Sequence, residues 1–243
     1  MTLAHYRGIT PHNAYTILLK TFGHQGWWPV IQPGGHVPEY RPRSYRRSEL
    51  ERFEICVGAI LTQNTAWTNV EKALANLNRV GVLNPRRLAG LSAERLALLI
   101  RPSGYYNQKA KRIKTLAKYF REKQGASLTA FFARPLAVIR EELLALNGVG
   151  PETADSILLY AGNRKTFVVD AYTKRLGRRL GWFTTDDYDT VKMFFNKSVP
   201  VTERVCNEFH ALIVRLGKDH CRAKPQCPGC PLESYCPSST LIV

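Results

Sequence analysis

The chain has 243 residues, enough for one large domain or two small lobes with cores of their own. Its 35 Lys and Arg against 19 Asp and Glu leave a net charge of +16, which points to a polyanion partner. Hydrophobic content is an ordinary 44%, with no apolar run as long as a membrane span and no basic helix with a sustained exposed apolar face. A membrane partner is therefore disfavoured.

In chain order, Met1 to Arg7 lacks the apolar stretch of a secretion signal, so a cytoplasmic, nucleoid-associated location is expected. Gly26-Trp27-Trp28-Pro29 follows, then a basic run at Arg41–Arg47. Phe53 to Leu61 is an apolar helical stretch containing Cys56; Cys56 and Cys206 have the context of inert core thiols. Val70, Ala73, Leu74, Leu77 and Val80 mark one helical face, and Ala110, Ile113, Ala117 and Phe120 another. Leu136–Leu146, Thr153–Ala161 and Val205–Leu216 continue the helical pattern, while Leu128–Pro135 and Gly162–Lys165 look like connectors. Only Thr166–Val169 is β-like, and it is too short to found a sheet. Further basic runs lie at Lys109–Lys118 and Lys174–Arg179; each run taken alone is equally well a solvated helix face. The expected fold is all-α, in two helical lobes.

The segment from Leu146 to Asp170 is the most informative. Gly148-Val149-Gly150 makes a tight turn, and Pro151 is preorganised for the first turn of a helix. Backbone N–H groups at such a helix start suit a phosphate oxygen. One short helix later comes a single carboxylate, Asp170, in Phe167-Val168-Val169-Asp170. Taken alone, Asp170 is better read as an N-cap for a helix starting at Ala171, and the two roles can coexist.

Cys221, Cys227, Cys230 and Cys236 are spaced C-x5-C-x2-C-x5-C. Four thiols this crowded in a chain of cytosolic character are a metal signature rather than a disulfide framework. Zinc more usually shows two separated C-x2-C knuckles, whereas one compact run can wrap a cubane, so the spacing favours a [4Fe–4S] cluster over zinc. Pro225, Pro228, Gly229 and Pro231 keep the segment irregular.

Gly148-Val149-Gly150, Asp170 and the cysteine run, in that order, resemble the helix-hairpin-helix (HhH-GPD) DNA glycosylases of the endonuclease III type, over roughly residues 51–236. The resemblance implies a six-helix barrel over 46–164, with the hairpin at about 143–161. It also implies a second helical lobe, built from 1–45 plus 165–243 and carrying the cluster loop 221–236. Double-stranded DNA with a damaged base is the implied partner of a monomeric enzyme. The hairpin residues Gly148, Val149, Gly150, Glu152 and Thr153 would hold the backbone while the target base is flipped out. Gln63, with Asn64 beside it, matches the family position that enters the gap. Tyr105 stands where the family inserts a wedge, although either Tyr105 or Tyr106 could be a core residue instead.

Two departures are informative. Bifunctional members carry a lysine two positions after Gly-Val-Gly that attacks the sugar as a Schiff-base nucleophile; here the residue is Glu152, which cannot form an imine. The first cysteine spacing is x5 where x6 is usual. A monofunctional glycosylase with Asp170 as the central acid follows: the carboxylate stabilises positive charge on the sugar and orients water.

The adenine-from-mismatch branch carries a glutamate where this chain has Ala59, which disfavours that substrate. A base alkylated at N3 or N7 is already cationic and leaves without protonation, but it requires an aromatic slot. Trp27, Trp28, Trp67, Asp170-Ala171-Tyr172 and Asp187-Tyr188-Asp189 are similar to the bacterial 3-methyladenine DNA glycosylases, whose pocket position for lysine matches Lys218. Packing roles for the three tryptophans and a phosphate contact for Lys218 are the competing assignments. Alkylated purines are the expected substrates. The alternatives are an endonuclease III-like enzyme for oxidised pyrimidines or mismatched thymine or uracil, and a non-catalytic DNA-binding hairpin protein.

Overall fold

A computed structural model describes residues 8–41, 47–123, 127–200 and 202–239. It is all-α apart from one two-residue antiparallel strand pair, Val30–Ile31 (β1) with Pro38–Glu39 (β2). The chain divides into two compact units, one of Met1–Trp27 with Lys165–Val243 and one of Trp28–Arg164. None of the described helices is long and apolar enough to cross a membrane.

The Trp28–Arg164 unit is built around α2 (Glu49–Leu61), in which every residue from Phe53 to Leu61 is buried, as expected of a helix apolar on all sides. Ser48 and Glu51 form a reciprocal capping box at its start. Around it run α3 (Trp67–Arg79), α4 (Pro85–Gly90), α5 (Ala93–Leu99), a 3-10 turn at Arg101–Ser103, and α6 (Tyr106–Lys123). They are followed by α7 (Leu128–Ala133), α8 (Leu136–Leu144) and α9 (Pro151–Ser156), which runs on as a π-helical turn, Ile157–Ala161. Phe53, Phe120 and Phe131 pack edge to face at its centre.

Several expectations are corrected here. The supposed connector Leu128–Pro135 contains α7, because Ser127 caps it and Leu128, Phe131 and Phe132 turn one apolar face inward. Val80 falls outside the buried face of α3, since the helix has ended at Arg79. The unit boundary lies between Trp27 and Trp28 rather than at 45/46. Glu54 on α2 accepts from Ile31 N at 2.9 Å, Asn78 Nδ2 donates to Gly35 O at 3.1 Å, and the Trp28 ring lies against Gly58. Burial pushes the Glu54 carboxyl up to about 8.

The other unit contains α1 (Pro11–Phe22), α10 (Ala171–Arg179), α11 (Tyr188–Ser198) and α12 (Glu203–Asp219). Phe167 stacks on Phe195 at 4.2 Å with Phe209 and Trp182 edge-on, and Trp182 Nε1 donates to Ile9 O at 2.8 Å. Thr166–Val169 is buried and has no strand assignment among the described residues, so it is an extended lead into α10 rather than a β element.

Candidate active site

The hairpin joins α8 to α9. Gly148 has φ +84°, and a Cβ there would come within 2.3 Å of Arg112 Cδ, so only glycine meets both the backbone and the packing requirement. Gly150 caps α9 with extended backbone and open space around its Cα, and Pro151 takes the first helical position. Asp155, wholly buried in α9, is gripped by the Arg140 fork at 3.2 and 3.3 Å, which clips the two hairpin helices together. Glu152 is exposed on the first turn of α9, whereas the Val149 and Thr153 side chains are buried. Any contact from those two positions to DNA has to use backbone.

Gln63 lies against this hairpin. Its Nε2 donates to Gly148 O at 2.9 Å and to Thr153 Oγ1 at 3.0 Å, while its Oε1 accepts from Arg112 Nη1 at 2.6 Å. Asn64 is the exposed tip of its loop, with φ +51°. Tyr105 forms a second tip, 69% exposed with φ +44°, while Tyr106 is half-buried. For a bulky side chain that backbone is strained. In the same unit Trp28, 3% exposed, meets Trp67 edge to face at 5.5 Å and Tyr160 at 5.5 Å. Trp67 is half-buried and its Nε1 donates to Glu71 Oε1 at 2.7 Å.

In the other unit, Asp170 is the N-cap of α10: its Oδ1 accepts from Thr173 N at 2.7 Å. Its Oδ2 stands 3.5 Å from His210 Nε2 on α12, and the side chains are only 13% and 9% exposed. Burial alone would raise the carboxyl pKa, but the hydrogen bond and charge of His210, with the Thr173 contacts, outweigh it and hold the carboxyl below its ordinary value. Asp170 is thus kept anionic inside the protein. Trp27 is half-buried at the end of a segment that buried Glu208 fixes, accepting from Gln25 N at 2.6 Å and meeting His24 Nδ1 at 3.1 Å. Lys218 is exposed beside Gly217, and the Tyr172 ring packs so closely on Gly217 that a Cβ would come within 2.2 Å of it.

The four cysteines form no disulfide and line one cavity together with Leu176, Leu180, Leu216 and Leu232. Burial, reinforced by Cys221, Cys236 and Cys227 nearby, pushes the Cys230 thiol up to about 11. Arg179 Nη1 donates to Cys221 Sγ at 3.2 Å and to Arg222 O at 2.7 Å, and Arg175 Nε donates to Cys221 O at 2.7 Å. Among the described residues, no three His, Cys, Asp or Glu side chains are arranged to hold a metal ion.

Many cations of the basic runs have partners within the protein. Lys174 and Arg178 bind Asp186, Arg175 and Arg179 fasten the cysteine loop, and Lys114 donates to Leu91 O. Lys109 is buried. In the Arg41–Arg47 run, residues 42–46 lie outside the described residues, and Arg47 donates to Trp28 O at 3.0 Å. Lys111 and Lys118 are exposed. Sequence reasoning missed His210 and Lys109. The available signals were a histidine on an otherwise apolar helix face and a lysine just before the alanine that opens the buried face of α6.

Residues 57–201 match the HhH-GPD superfamily base excision DNA repair protein family. A protein of Methanocaldococcus jannaschii, provisionally named a DNA repair glycosylase, is 43% identical over 93% of this chain and 94% of its own length. Endonuclease III of Thermotoga maritima is 31% identical over 80% of this chain and 86% of its own. Among solved structures, the H. pylori 3-methyladenine DNA glycosylase bound to 1,N6-ethenoadenine superposes with a TM-score of 0.61 at 32% identity, covering 71% of this chain and 90% of that one. With its glycine hairpin, the helix-capping Asp170 and these relatives, the chain belongs to the HhH-GPD superfamily of base excision DNA repair proteins, as a DNA glycosylase of the endonuclease III type.

Proposed function

We propose that this chain is a monofunctional DNA glycosylase that flips a damaged base from double-stranded DNA and hydrolyses its N-glycosidic bond, most readily for alkylated purines such as 3-methyladenine. The observation that carries the reading is Asp170, largely shielded from solvent yet held ionised by Thr173 N–H and His210. As the bond from sugar to base breaks, its electron pair leaves with the base and positive charge develops at the sugar. An anionic carboxylate stabilises that charge and orients a water, whose oxygen bonds to the sugar carbon while its proton is taken up by the carboxylate. A base already cationic from alkylation leaves as a neutral molecule and needs no proton donor.

The 32% identity with the H. pylori 3-methyladenine enzyme supports the alkylpurine choice. Trp27 and Trp67 are assigned to the damaged base, by stacking and cation–π attraction, Trp28 to the packing behind Trp67, and Lys218 to a place near the pocket or to a phosphate. The hairpin around Gly150 is assigned to the DNA backbone, and the Gln63–Asn64 and Tyr105 tips to the space the base leaves. Glu152, standing where bifunctional relatives carry lysine, supports hydrolysis without lyase chemistry.

A [4Fe–4S] cluster is assigned on the chemistry of the donors and not on a ready arrangement around one metal ion: Cys221, Cys227, Cys230 and Cys236 line one cavity, and the Arg179 N–H directed at Cys221 Sγ suits a thiolate ligand. A cluster held there would brace loop 221–236. A monomer working on nucleoid DNA completes the reading.

A second substrate reading, oxidised pyrimidines or mismatched thymine or uracil, is favoured by the 31% identity with the Thermotoga endonuclease III. The test is a panel of lesion duplexes incubated with and without alkali, with borohydride trapping alongside. Excision of alkylated purines, strand breaks only after alkali and no covalent adduct are expected. Excision confined to pyrimidine lesions transfers the assignment to the second reading, and alkali-independent cleavage with a strong adduct overturns monofunctional chemistry. Full activity of Asp170→Asn on every excised lesion overturns the role of Asp170; a protein that binds DNA but excises nothing is the non-catalytic alternative.

A further inference from the structure

Lys109 is among the largest fully buried side chains in the protein, only 1% exposed. All three protons of its ammonium have acceptors: Leu61 O at 2.8 Å, Thr65 Oγ1 at 2.6 Å and Ser103 O at 2.7 Å. Leu61 is the last residue of α2 and Ser103 the last of the 3-10 turn Arg101–Ser103, so one cation meets the carbonyl ends of two helical segments. Thr65 Oγ1 in turn donates to Ser103 O at 2.5 Å, which ties the same two segments together.

Each segment leads directly into a strained tip. Asn64, at φ +51°, lies between Leu61 and Thr65; Tyr105, at φ +44°, lies two residues beyond Ser103, and its carbonyl accepts from Lys109 N at 3.0 Å. Strained backbone of this kind persists where the surroundings over-determine it. One turn further along α6, Arg112 holds Gln63 Oε1 at 2.6 Å and packs on Gly148. Burial, with Arg112 nearby, lowers the Lys109 ammonium to about 8, so the charge is retained against a real desolvation cost.

We propose that Lys109 is a positioning residue that locks the Gln63–Asn64 tip and the Tyr105 tip at one separation, so that both enter a damaged duplex as a unit. The inference rests on the assignment of those tips to the gap in the duplex. Because Lys109 is buried, its effect on DNA must pass through the two loops and not through a phosphate contact of its own.

The experiment measures affinity for a duplex containing a stable abasic-site analogue and for the same duplex undamaged, using wild type, Lys109→Met, Lys109→Arg, Thr65→Val and Tyr105→Ala. Removing a buried charged donor should weaken abasic-analogue binding by about tenfold or more. Undamaged-duplex binding, set by surface charge, should change by less than about twofold. Lys109→Arg should recover most of the loss, and Thr65→Val should move the same ratio by a smaller factor. Adding Lys109→Met to Tyr105→Ala should cost less than it does in wild type, because the residues act through one tip.

Equal loss on both duplexes, an unchanged ratio, or full additivity with Tyr105→Ala overturns the proposal. If Lys109→Met does not fold, Thr65→Val and Lys109→Arg decide it on the same ratio. Failure of the glycosylase reading would instead be seen as absence of excision by the wild type, which leaves the binding ratio readable.

Discussion

Asp170 and His210, forty residues apart in sequence, meet at 3.5 Å between Oδ2 and Nε2 with both side chains nearly out of solvent. The other carboxylate oxygen is occupied by Thr173 N at 2.7 Å, so the helix cap and the proposed catalytic anion are one group with a separate partner on each oxygen. The capping role expected from sequence is observed. The cap fixes the carboxylate in place, and His210 addresses the oxygen that remains.

The depressed pKa of Asp170 gives a testable pH dependence. A lowered folded-state value means the stabilisation is fully present above the ordinary 3.8 and is lost as pH falls through the lower folded value. Asp170→Asn preserves the cap, since asparagine caps as well as aspartate. The stability difference between wild type and Asp170→Asn, from urea unfolding at a series of pH values, should be flat at neutral pH and shrink below 3.8. A difference that instead grows toward acid would contradict the observed direction. His210→Leu should slow single-turnover excision by about tenfold or more, with affinity for abasic-analogue DNA retained and His210→Gln losing less.

Gly148→Ala should destabilise the hairpin and disturb Gln63 together. The new Cβ would meet Arg112 Cδ at 2.3 Å on a backbone at φ +84°. Relief requires Arg112 to move, which breaks its bond to Gln63. A cost of about 1–3 kcal/mol is expected, seen as a melting temperature lower by roughly 2–4 °C per kcal/mol for a protein of this size. Gly150→Ala, which has open space around it, should cost less. Equal shifts in the two variants would show that the Arg112 contact does not hold the hairpin.

Protein purified without oxygen should be brown, with about four irons and four sulfides per chain, and Cys230→Ser should lower both. Arg179→Leu, which removes the donor to Cys221 Sγ, should leave the iron content nearly intact but speed its loss in air. A colourless, zinc-loaded preparation counts against the cluster.

Much of the site was legible because single positions carry it. A glycine at φ +84°, a proline at the first helical position, a carboxylate where a nucleophilic lysine would act and a fixed cysteine spacing are local demands. Helix periodicity likewise located α2, α3, α6 and α12. It missed α7, because six residues are too few for a repeat to declare itself, and it extended the α3 face to Val80 past the end of the helix.

The amino-acid sequence by itself determined the family, the all-α class, the hairpin, the candidate acid and the candidate metal ligands, since backbone conformation and side-chain chemistry at those positions need no distant partner. Only the tertiary structure decided where the positive charge goes. Lys109 finds Leu61 O forty-eight residues away and Arg179 finds Cys221 forty-two residues away, so runs of lysine and arginine that look like a polyanion surface are partly internal fasteners. It also decided that His210 faces Asp170, and that Tyr105 rather than Tyr106 is exposed. The physical reason is the same in each case: a long polar side chain is buried only where remote segments bring acceptors to it, and a sequence does not record which segments those are.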